Sequence, residues 1–97
     1  MNNQKRNIAI LGCTGSIGQQ TLNIIDEYPG HFNVEVLTAR RNKDLLIEQA
    51  IRYKPNVVVI GDDGHYQEVN AVLAPHDIKV FAGPDALEQV VEMDSID

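Results

Sequence analysis

Apolar positions along this chain fall into two alternating patterns. Short β-branched runs bounded by turn residues recur four times, as "NIAIL" (7–11), "NVEVLTA" (33–39), "NVVVIG" (56–61) and "IKVFAG" (78–83), and each reads as a strand. Helical spacing fills the intervals. Ile17, Thr21, Leu22, Ile24 and Ile25 make an apolar stripe that stops before Pro29-Gly30. Leu45, Leu46, Gln49, Ala50 and Tyr53 make a second, ending before Pro55. Tyr66, Val69, Asn70, Val72 and Leu73 predict a third helix closed by Pro75, and 84–92 a fourth with Pro84 at its first position.

Strand and helix in strict alternation predict an α/β fold with parallel strands and right-handed crossovers: a Rossmann-like, three-layer, doubly wound sheet. The strands are almost purely apolar, as expected when helices cover both faces of a sheet. The last residues, "EMDSID", form a turn followed by Ile96, which reads as the start of a further strand. A doubly wound sheet is expected to continue past this point, so residues 1–97 read as a fragment or an excised domain.

Gly12, Gly15 and Gly18 fall at the first strand-to-helix turn, and there their spacing has a mechanism. Gly12 allows a tight turn, Gly15 lets backbone approach a phosphate, and Gly18 lets the helix pack tightly on the sheet. A helix N-terminus at that point offers free amides and a positive dipole end to a pyrophosphate. The spacing is G-x-x-G-x-x-G, not the commoner G-x-G-x-x-G. Thr14 and Ser16 add hydroxyls suited to phosphate oxygens or to capping the helix.

The end of the second strand selects the nucleotide. A site that prefers NAD carries an acid there for the ribose 2′-hydroxyl. This chain has "TARRN" (38–42) instead, and the paired guanidinium groups of Arg40 and Arg41 suit the 2′-phosphate of NADP. Asn42 reads either as a phosphate or ribose contact or as the N-cap of the second helix.

Composition narrows the partners. Eight basic against fourteen acidic residues give a net charge of −6, which disfavours nucleic acid and anionic membranes, so an anion must be caught by a local feature. No apolar run is long enough for a membrane span or a secretory signal. The single cysteine, Cys13, forms no disulfide framework and points to a cytosolic compartment. It reads as a small residue in a tight turn, although a helix N-terminus beside a thiol can activate it. His31, His65 and His76 lack metal-ligand spacing. Asp62-Asp63 suits capping of the next helix better than cation binding. No nucleophile–base pair or carboxylate dyad is visible.

"NIAILGCTGSIGQQTLNII", "HFNVEVLTARRN", "KPNVVVIGDD" and "AGPDALEQVVEMDSID" together resemble the opening of the 1-deoxy-D-xylulose 5-phosphate reductoisomerase family. Its G-[SC]-T-G-S-I-G-x-x-T-L turn matches Gly12 to Leu22. The resemblance implies an NADPH-dependent enzyme using a divalent metal (Mg or Mn), usually a cytosolic or plastid homodimer. It would isomerise and reduce 1-deoxy-D-xylulose 5-phosphate to 2-C-methyl-D-erythritol 4-phosphate in non-mevalonate isoprenoid biosynthesis. It further implies that Thr14, Gly15, Ser16 and Ile17 hold the pyrophosphate, and Arg40, Arg41 and Asn42 the 2′-phosphate. Arg40 departs from the family pattern, where glycine is frequent, and suits stacking on adenine as well. Metal ligands, substrate-phosphate residues and the lid are expected beyond residue 97, so these residues alone are expected to be inactive. Two rival readings are the dinucleotide domain of another NADP-dependent oxidoreductase and a non-catalytic nucleotide- or CoA-binding regulatory module.

Overall fold

A computed structural model describes residues 5–91. Each apolar run becomes a strand: β1 (Arg6–Ile10) and β2 (Phe32–Ala39) begin one residue earlier than the pattern predicts, β1 also ending one earlier, while β3 (Val57–Ile60) and β4 (Lys79–Ala82) lose a residue at each end. The helices are α1 (Ser16–Glu27), α2 (Lys43–Tyr53), α3 (Tyr66–Leu73) and α4 (Pro84–Val91). Pro84 takes the first helical position of α4, as its missing N–H allows. Pro75 does not simply close α3; the chain tightens into a 3-10 turn, Ala74–His76, that contains it. Residues 92–97, with Ile96, lie outside the described residues.

The strands are all parallel in the order β1-β2-β3-β4. A chain that always steps the same way through right-handed crossovers must place every connecting helix on one face. That is what the cores show. Leu22 of α1, Leu46 and Ala50 of α2, and Val69 and Leu73 of α3 pack with Ile10, Leu37, Val58 and Val80. Val90, Ala86 and Leu87 of α4 pack instead with Val36, Val59 and Ala9 on the opposite face. The architecture is three-layered and Rossmann-like, and the switch of face at α4 is the reversal a doubly wound sheet requires.

Two details correct the sequence pattern. Ile17 and Ile24, placed above on the buried stripe of α1, are 80% and 53% exposed. They lie on one helical line a residue round from Gly18, Leu22 and Ile25, the line that meets the sheet. Nor are all strands covered on both faces: Phe81 of β4 is 49% exposed, because α4 shields only part of the far face. In β2 the pairing with β1 skips Glu35, since Ile8 pairs Val34 and Ala9 pairs Val36. This bulge lets Val34 and Leu37 share the larger core while Val36 serves the other.

Candidate functional site

The chain leaves β1 through a turn that only glycine adopts readily, with Gly12 at φ 74°. Thr38, buried near the end of β2, fastens this turn twice. Its Oγ1 accepts from Gly12 N at 2.9 Å and its carbonyl from Cys13 N at 2.8 Å. From α2, the buried Gln49 donates through Nε2 to Cys13 O at 2.9 Å. Gly15 N then donates to Gly12 O at 3.0 Å, and α1 begins at Ser16. Gly18 closes the arrangement by proximity: a Cβ there would lie 2.3 Å from Gly12 O and 2.6 Å from Cys13 Cα. The close approach that requires Gly18 is thus to the turn itself.

Gly15 is the N-cap of α1, and no side-chain hydrogen bond caps this helix. The capping role considered for Thr14 and Ser16 is therefore not taken up by either. The first-turn amides and the positive dipole end face outward beside the exposed residues Gly15, Ser16 and Ile17 and the half-buried Thr14. A Cβ on Gly15 would meet only Gly12 O at 3.5 Å, so internal packing leaves that side of the turn open.

Cys13 is fully buried. Burial pushes its thiol up to about 12, against a smaller lowering by a backbone hydrogen bond. Desolvation outweighs the helix N-terminus, and the group stays a thiol at neutral pH.

At the tip of β2, Arg40 and Arg41 are exposed and line a cleft of about 470 Å³ with Gly61, Asp62, Pro84, Leu87 and Glu88. A smaller cavity of about 200 Å³, lined by Leu11, Gly12, Thr38, Ala39, Arg40 and Leu87, adjoins the glycine turn. Arg40 and Leu87 line both, so the two volumes lie side by side along a trough over the carboxyl ends of the strands. Such ends are where α/β sheets receive nucleotides. The Arg40 backbone is fixed because its carbonyl accepts from Asp62 N at 2.9 Å. Among the described residues neither guanidinium has a carboxylate within 4.0 Å. Asn42 is the N-cap of α2, its Oδ1 accepting from Leu45 N at 3.2 Å, which leaves its Nδ2 amino group for a ligand.

The structure thus brings Arg40 and Arg41 into one cleft near the glycine turn, with Asn42 next in the chain, while Thr14, Ser16 and Ile17 stand on the turn's outer flank and line neither volume. Asp62 caps a 3-10 turn, Asp63–His65, accepting from Gly64 N at 3.0 Å. No group of three or more metal-ligating side chains occurs among the described residues. Thr38, Gln49 and Leu87 were missed as contributors to the site. Gln49 did leave a signal, as a polar residue on an apolar helical stripe. Leu87 left none, because its place over the trough depends on α4 crossing to the other face.

The sequence matches the family described as 1-deoxy-D-xylulose 5-phosphate reductoisomerase over residues 8–97. Proteins of that name from Porphyromonas gingivalis and Phocaeicola vulgatus are 50% and 47% identical over 93 residues, 96% of this chain. The chain spans about a quarter of those relatives, 24% of each. Among solved structures, the reductoisomerase from Zymomonas mobilis in complex with NADPH superposes with a TM-score of 0.87 at 37% identity, covering 93% of this chain and 24% of that one. A reductoisomerase in complex with NADPH, fosmidomycin and magnesium gives 0.87 at 28% identity, covering 95% and 23%. With the glycine turn, the fold and the match over 8–97 in agreement, the chain belongs to the 1-deoxy-D-xylulose 5-phosphate reductoisomerase family.

Proposed function

We propose that this chain is the NADPH-binding domain, residues 1–97, of a reductoisomerase that isomerises and reduces 1-deoxy-D-xylulose 5-phosphate to 2-C-methyl-D-erythritol 4-phosphate. The observation that carries the reading is the uncapped N-terminus of α1 beside a trough that ends at two arginines without carboxylate partners. The turn formed by Thr14, Gly15, Ser16 and Ile17 holds the pyrophosphate: the amides of Thr14, Ser16 and Ile17 donate, aided by the helix dipole, and Gly15, whose own N–H is spent on Gly12 O, gives close approach. Arg41 and the Nδ2 of Asn42 take the 2′-phosphate. Arg40, which lines both volumes together with Leu87, stacks on the adenine. Bound NADPH supplies the hydride, and the share of these residues is to fix its adenosine and pyrophosphate ends so that the nicotinamide meets the substrate in one orientation. In the whole protein, a cytoplasmic homodimer on this reading, the substrate and a magnesium or manganese ion are held by residues outside this chain.

The test is cofactor discrimination. Losing a charge-assisted bond from Arg41 costs about 1.5–3 kcal/mol, which is roughly tenfold to a hundredfold in affinity. Calorimetric titration of Arg41→Ala should show that loss for NADPH and almost none for NADH. Equal weakening of both cofactors would remove the 2′-phosphate assignment.

A further inference from the structure

Gln49 is the one buried side chain among the described residues whose polar atom lacks a partner: its Oε1 has none, while its Nε2 donates to Cys13 O at 2.9 Å. The orientation of the amide is set by that carbonyl, because exchanging the two ends would place oxygen against oxygen. A buried acceptor left without a donor is unfavourable. Ordinary core packing at this position would be served better by an apolar side chain. What the amide does instead is hold one peptide group of the glycine turn. In a trans peptide the carbonyl of one residue and the N–H of the next point in opposite directions. No peptide bond in the described chain is cis. Drawing the Cys13 carbonyl inward therefore turns the Thr14 N–H outward, to the side where the α1 amides lie.

We propose that Gln49 is a positioning residue for the dinucleotide: by pinning the Cys13 carbonyl it aims the Thr14 amide at the pyrophosphate, adding a donor to the helix N-terminus. The inference rests on the NADPH reading of the turn and extends it to a residue 36 positions away in sequence. Thr38 does the complementary work by holding the Gly12 and Cys13 amides inward. Gln49 touches no ligand, so its effect must appear at the pyrophosphate and be absent at the adenosine end.

Gln49→Met keeps the length of the side chain and removes both amide atoms. Calorimetry should show NADPH binding weakened about tenfold, the size of one lost hydrogen bond to a charged group. Adenosine 2′-monophosphate, which reaches Arg41 but carries no pyrophosphate, should bind as before. Gln49→Glu gives a second readout. A protonated carboxyl donates to Cys13 O, whereas a carboxylate has no proton to give and repels it. NADPH affinity should therefore fall with rising pH in this variant relative to the parent chain, whose amide does not titrate. Unchanged NADPH affinity in Gln49→Met, or equal losses for both ligands, would overturn the proposal. If the parent chain binds neither ligand, the NADPH reading fails separately, and amide NMR spectra still decide the positioning role. Thr14 and Gly15 signals should move in Gln49→Met while those of Val58 stay, and unmoved Thr14 and Gly15 signals would overturn it.

Discussion

Gly15 and Gly18 are spaced alike in the sequence yet do different work. Gly18 is held against Gly12 O and Cys13 Cα, both backbone atoms, so a methyl group has nowhere to go. Gly18→Ala should cost about 1–3 kcal/mol through forced displacement of the turn, measured by urea denaturation. A Cβ on Gly15 meets an ordinary contact and the residue has an extended conformation, φ −79° and ψ 174°, open to any side chain. Gly15→Val should thus fold, at a cost of about 1 kcal/mol for a branched residue at the N-cap of α1, while losing NADPH, since its side chain would occupy the space proposed for phosphate. Near-parental stability of Gly18→Ala, or parental NADPH affinity of Gly15→Val, would reverse these assignments.

α2 joins stability to binding. Its N-cap, Asn42, serves the helix through Oδ1, and its C-terminus stops where Lys54 turns left-handed at φ 53° before Pro55. Lys43 reaches Glu68 at 2.9 Å, and Asp26 of α1 accepts from Arg52 at 2.8 Å and from the Tyr53 hydroxyl at 2.9 Å. These exposed contacts align the helices and add little stability each. The cap matters more: Asn42→Ala should lose about 1 kcal/mol. Asn42→Asp retains the acceptor but brings a carboxylate beside the 2′-phosphate. It should keep the parental denaturation midpoint and bind NADPH, but not NADH, more weakly. A lowered midpoint in Asn42→Asp would show that the Nδ2 group, not Oδ1, serves the fold.

The two faces of the sheet carry unequal weight across the whole molecule. The face under α1, α2 and α3 holds most of the buried apolar residues, while the α4 face holds Val36, Val59 and Val90 with a few partly buried neighbours. Leu46→Ala removes a fully buried side chain from the larger core and should cost about 2–5 kcal/mol. Val90→Ala, at about 0.8 kcal/mol per buried methylene equivalent, should cost less than half of the upper figure. Chemical denaturation of the two variants side by side checks the ranking. A larger loss from Val90→Ala would mean that α4 organises the core.

Local periodicity was enough to place four strands and four helices, because each apolar run carries its own spacing and its own turn residues. The glycine turn and the arginine pair were equally legible, since a tight turn and a charged strand tip are properties of adjacent residues. Strand order was not legible, nor was the exposure of Ile17 and Phe81. Both depend on which helix covers which face. Thr38 and Gln49 show the same limit at the site. They sit 26 and 36 positions from the backbone atoms they hold, so only the packing of β2 and α2 against the turn gives their side chains a partner. The sequence determined the glycine turn proposed to receive a phosphate, because φ preference and spacing are local. The tertiary structure alone decided where that backbone's amides point, because the hydrogen bonds that turn them come from distant elements.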